Sequence, residues 1–238
     1  MSKTAHHELT RKEMKGPDKF QVAATEAAAW ATQRRRQILL AGIAAFVVLI
    51  AIVAFSAYLD SQRARAGSLL YGAIDAASGE VSSIPLPGVD KVYKSSEEKQ
   101  RAVLAAAEKV RAAHGGSRAA ATAALLEGDA HLALGEWDQA IAAYQAFLDK
   151  APADDSLRFG ALDGLARAQE GKGDVAAATA TWERAAQVDF YKDRATLERA
   201  RLLAKTGKKD DARKALEAIP KESPLSVEAQ ERLGRLGK

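Results

Sequence analysis

Histidine, cysteine and carboxylate placement decides whether this chain could carry covalent or metal chemistry. It has four histidines and no cysteine, which excludes thiolate nucleophiles, disulfides and thiolate metal sites. His6 and His7 lie in a polar N-terminal tail, His114 at the end of one expected helix and His131 inside another. No pair has the spacing of metal ligands, and His131 reads as a packed or groove-edge residue. There is no Gly-rich phosphate loop, since the glycines are scattered at expected helix ends. Nor is there a Gly-x-Ser-x-Gly elbow. Acidic residues are abundant, but they fall in amphipathic helical patterns where they keep one face solvated. A hydrolase or transferase would need an acidic pair converging in a deep pocket. No catalytic residue, cofactor, metal or small-molecule substrate is therefore assigned. The chemistry on offer is association with other proteins.

The elements that would present such a surface come from internal repetition. Alanine and leucine dominate after Leu59 and β-branched residues are few, so helices are expected throughout. Gly135, Ala140 and Tyr144 recur as Gly173, Ala178 and Trp182, then as Gly207, Ala212 and Leu216. In each copy Ala follows Gly by five residues and a large apolar residue follows by four more. The intervals from Ala140 to Ala178 and from Ala178 to Ala212 are 38 and 34 residues. A weaker earlier copy places Ala106 and Val110 at the matching positions. Gly128, Ala166 and Ala200 each precede their Ala by twelve residues. The small residues are expected to meet where paired helices cross, with Tyr144, Trp182 and Leu216 filling the space between pairs. The glycines supply the left-handed residue that ends each first helix. One such pair cannot bury its apolar face alone, so stacking makes the core.

This pattern resembles the tetratricopeptide repeat, a 34-residue helix–turn–helix unit. The resemblance covers about 119–219 well and 60–113 weakly; the closing Pro of the motif appears once, as Pro152, and its Trp is missing from the first helices. It implies an all-α solenoid of three to four helix pairs over 96–238, closed by a capping helix from Leu225 to Leu236. In that register the groove is lined by Leu125, Asp129 and Leu132, then Asp163, Arg167 and Glu170, then Arg194, Leu197, Arg201 and Lys205. Alternating charge with intervening leucine suits a peptide or partner helix; the same charges could equally serve to keep a helix face soluble. Repeat proteins that clamp chaperone C-termini use Lys and Asn where this chain has Leu125 and Asp129, so that clamp is absent.

Ahead of the repeats lies an uncharged apolar run of 22 residues, Ile38 to Leu59, between Arg34-Arg35-Arg36 and Asp60. About 20 apolar helical residues cross a bilayer core, and a helix satisfies its own backbone there. A cleaved signal has an apolar stretch of about 7–15 residues behind a short basic start. This run is longer and follows a 36-residue polar tail, so 38–59 is read as an uncleaved transmembrane anchor contacting lipid. The faint twin-arginine pattern at Arg35-Arg36 is set aside because no cofactor signal accompanies it. The remaining segments are a basic tail, 1–37, and a membrane-proximal helix with a Pro/Gly linker, 60–95. Within the tail, 1–20 is expected to be disordered and Phe20–Gln33 to form a short helix on the cytosolic face. Ser95 and Glu98 form a capping box opening the next helix.

Charge sets the expected orientation. Residues 1–36 hold eight cations and four anions, a net of +4, which equals the formal charge of the whole chain. The part after Leu59 therefore carries 27 of each sign. The basic excess beside a membrane is assigned to anionic headgroups rather than to nucleic acid. Lys and Arg favour the cytoplasmic side, which puts the N-terminus in the cytoplasm and the C-terminal body in the periplasm of a bacterial inner (plasma) membrane. The architecture is similar to the bacterial membrane-anchored repeat family that includes the ancillary subunit of the SecYEG translocon; a related repeat domain occurs in a periplasmic coordinator of cell division. The resemblance implies a non-catalytic adaptor that assists protein translocation or hand-over to periplasmic chaperones. The alternative is a structural organiser of envelope or division machinery.

Overall fold

The computed structural model describes residues 19–84, 88 and 91–237; the expected disorder of the first residues lies outside this range, apart from Lys19 and Phe20. Two compact units result, Met1–Asp60 and Ser61–Lys238. In the first, α1 spans Lys19–Gln33 and is followed after Arg34 by α2, Arg35–Ser78, which runs on into the second unit. The break is slight, for Arg34 N still donates to Trp30 O at 3.1 Å and Ile38 N to Arg34 O at 3.0 Å. The most apolar stretch of α2 has a mean hydropathy of 3.1 and none of it is buried in the protein. This helix is long and apolar enough to cross a membrane.

The apolar run does not end its helix at Leu59. The residues that follow are sound helix formers, and no proline intervenes before Gly79. The segment of α2 beyond Ser61 joins the second unit: Ala73 is fully buried with Ala107, Val110 and Ala123, and Ala76 lies with Val103 and Ala130. It thus forms the first helix of the weak early copy. Where a linker was expected, two short strands, β1 (Glu80–Val81) and β2 (Val92–Tyr93), pair in parallel with Glu80 opposite Val92.

The repeats then follow as α3 (Ser96–His114), α4 (Arg118–Ala133), α5 (Trp137–Leu148), α6 (Arg158–Lys172), α7 (Val175–Ala185), α8 (Lys192–Lys205) and α9 (Lys209–Glu217), closed by α10 (Ser226–Leu236). A 3₁₀ turn, Asp189–Tyr191, leads into α8. The caps follow sequence. Ser95 accepts from Glu98 N at 3.1 Å, while the Glu98 carboxylate reaches back to Lys94 N, one residue further than an ideal capping box. Gly135, Gly173 and Gly207 have φ of 73°, 90° and 80°, the left-handed geometry that lets the chain turn back after α4, α6 and α8.

Consecutive helices pack as antiparallel neighbours, and α4 also packs on α6. Ala140, Ala166 and Ala178 are completely buried, as is Ala212, and Ala200 nearly so. The Tyr144 ring wedges between α4 and α6. A Cβ at Gly128 would stand 2.7 Å from it, and one at Gly164 would stand 2.6 Å from its Cε1 and closer to its tip. Trp182 and Leu216 are buried at the two later positions. The main core joins the pairs α4/α5 and α6/α7; a second cluster joins α8, α9 and the capping helix.

Candidate functional site

The first helices of the pairs, α4, α6 and α8, carry the residues that the repeat register assigns to a groove. Leu125 and Leu197 do not line an open surface. Leu125 packs into the main core because α3, α5 and α6 surround α4. Leu197 is completely buried in the C-terminal cluster, where α10 covers it and Arg232 Nη1 donates to its carbonyl at 2.8 Å. Leu132 is half-buried against the main core. Helical periodicity fixes the face on which a leucine lies, but not what covers that face.

The polar members divide into three local systems. On α4, Asp129 accepts the Tyr144 hydroxyl at 2.7 Å. Burial raises the Asp129 carboxyl above its ordinary value, and the Asp163 charge adds to this. Desolvation and the neighbouring Asp129 push the Tyr144 hydroxyl up as well. On α6, Asp163 pairs with Arg167 at 3.0 Å, one turn away. Burial raises Asp163 despite the opposing pull of Arg167.

The third system ties α6 to α8. Glu170 accepts from Arg201 through two bonds, 3.0 and 2.7 Å, and from Lys205 at 3.0 Å. This fork of donors pulls the Glu170 carboxyl down to about 2. Arg201 also donates its Nε to Glu198 at 2.8 Å, and its own value is raised, chiefly by Glu170. Glu198 lies 3.4 Å from Arg194 and 3.5 Å from Arg232 of α10. Burial works to raise Glu198, but Arg201, Arg232 and Arg194 outweigh it and leave it lowered. Arg201 therefore links Glu170, which also holds Lys205, to Glu198, which also meets Arg194, while Asp129 makes no ion pair among the described residues.

Glu198 and Arg232 were not singled out by sequence, although Glu198 follows Arg194 by four residues and precedes Arg201 by three, the spacing of helical ion pairs. A second polar link was also missed. His131 Nδ1 lies 2.6 Å from Glu136, which also pairs with Arg101 of α3 at 2.7 Å. Glu127, almost buried, pairs with Arg111. No helical i,i+3 or i,i+4 spacing marks these pairings: Arg101–Glu136 and Arg111–Glu127 join helices through space, and His131–Glu136 spans the turn from α4 to α5.

These arrangements hold helices to one another. Among the described residues no group of three or more His, Asp or Glu side chains is placed to hold a metal ion.

No curated protein matches the chain. A family model for a tetratricopeptide repeat-like domain matches residues 29–224, a span that opens in α1, takes in the membrane-length helix and runs through the last repeat. Domains of this kind are typically non-catalytic modules of protein interaction. On a match over most of its length, the chain belongs to the tetratricopeptide repeat-like family.

Proposed function

We propose that this protein is a single-pass membrane-anchored adaptor that binds other proteins through its helical repeats. Its placement is at the bacterial inner membrane with the repeats on the periplasmic side, where it assists translocated proteins or passes them to chaperones. The observation that carries this reading is one helix, Arg35–Ser78, that is long and apolar enough to span a bilayer and supplies the first helix of the repeat body. Anchoring raises the effective concentration of a binder near membrane partners without any new contact, so weak contacts along α4, α6 and α8 suffice.

The basic excess before the span supports an N-terminus in the cytoplasm. The test is purification of the intact protein in mild detergent followed by identification of what accompanies it. Translocon subunits or periplasmic chaperones are expected. Recovery of neither, or recovery of division proteins instead, would overturn the translocation reading. Protease added to intact spheroplasts should digest 60–238; protection of that body would reverse the orientation.

A further inference from the structure

The N-terminal flank of the span holds an arrangement that the adaptor role does not use. Trp30, in the last turn of α1, is 54% exposed. The Arg34 guanidinium carbon lies 5.4 Å from the centre of its ring, within cation–π distance. One helical turn connects the two residues, sealed by the hydrogen bond from Arg34 N to Trp30 O. A guanidinium held over a ring at this distance keeps N–H donors that can meet an anion. Arg35 and Arg36 follow directly, and successive helical residues are turned by about 100°, so the three guanidinium groups fan around the helix. Among the described residues none of them has a carboxylate partner. The apolar run begins at Ile38, two residues after Arg36.

We infer that Trp30 and Arg34, with Arg35 and Arg36 adding positive charge around the helix, form a site for the anionic phosphodiester headgroup of a membrane phospholipid. The inference rests on α2 crossing a bilayer. In that case the cluster falls at the boundary between hydrocarbon and headgroups, where tryptophan is enriched and where anionic lipids attract basic clusters. Free phosphate shares the chemistry, but the abrupt start of the apolar run beside the cluster selects the lipid. The Arg34 guanidinium held over Trp30 gives this site a located donor group, which distinguishes it from a diffuse positive charge.

The test uses the full chain reconstituted in phosphatidylcholine vesicles. These contain an equal small fraction of either phosphatidylglycerol or phosphatidylcholine brominated near the headgroup. The Trp30 signal is the difference in fluorescence between the chain and its Trp30→Phe variant. Quenching by the brominated anionic lipid should exceed that by the neutral one by at least about threefold, from local enrichment around the cluster. The triple variant R34Q/R35Q/R36Q should quench equally with both lipids, and added inorganic phosphate should leave the preference of the unaltered chain in place. Equal quenching in the unaltered chain, a preference that survives the triple variant, or its abolition by phosphate overturns the headgroup site. Co-flotation of the protein with vesicles separates these outcomes from failure of the span: a chain that does not float removes both the span and the site.

Discussion

Gly160 and Gly164 stand one turn apart on α6, and the same substitution should have opposite effects at the two. Alanine is favoured over glycine inside a helix by about 1 kcal/mol. At Gly160 a Cβ would meet nothing within 4 Å, so Gly160→Ala should stabilise by about 0.5–1 kcal/mol. At Gly164 a Cβ would lie 2.6 Å from Tyr144 Cε1 and closer to the ring tip. The ring cannot retreat, since the backbone of Gly128 closes its other side and its hydroxyl is held by Asp129 at 2.7 Å. Overpacking strain of about 3 kcal/mol or somewhat more then exceeds the helical gain, for a net loss of about 2 kcal/mol. For a body of this size the midpoint should fall by about 4–8 °C, while Gly160→Ala raises it by about 1–4 °C. Thermal melts of the full chain in neutral detergent, followed by tryptophan fluorescence, measure both. In a Tyr144→Leu background the effect of Gly164→Ala should shrink or reverse, because the ring that opposes the new methyl is gone. A Gly164→Ala protein that melts as high as Gly160→Ala would refute the wedge.

The charged systems give predictions in pH. Glu170 titrates at about 2 in the fold against an ordinary 4.5, so its contribution is complete above pH 4.5 and lost as pH falls toward 2. Glu170→Gln should lower the melting midpoint at pH 7 by an amount reflecting about 1 kcal/mol, since its cationic partners are half-exposed, and have little effect near pH 2. Asp129 behaves in the opposite sense. Its carboxyl is raised from the ordinary 3.8, so its neutral form favours the fold below 3.8 and that contribution is lost as pH rises through the raised value. Asp129→Asn, which can still accept from Tyr144, should melt higher than the parent at pH 7 and equally at pH 3. Ser95→Ala removes the acceptor for Glu98 N and should lose about 1 kcal/mol, with faster amide exchange confined to the first turn of α3.

Much of this fold is legible in the residues themselves. An uncharged run as long as Ile38–Leu59 has no other stable form in hydrocarbon than a helix, and Gly135, Gly173 and Gly207 mark the ends of their helices because only glycine turns left-handed without a Cβ clash. The repeat of small residues marks where the helices cross, since bulk at Gly128 would collide with Tyr144; the same need at Gly164 is not part of the repeat. What the sequence could not decide was which groups face a neighbour and which face water. Leu125 and Leu197 hold groove positions in the register, yet the helices flanking α4 bury one and the capping helix buries the other. The short pairing of β1 with β2 and the reach of Arg232 from α10 to Glu198 likewise depend on the meeting of separate segments of the chain. A helical period assigns each residue a direction from its own axis; only the stacking of one helix on the next determines what lies there.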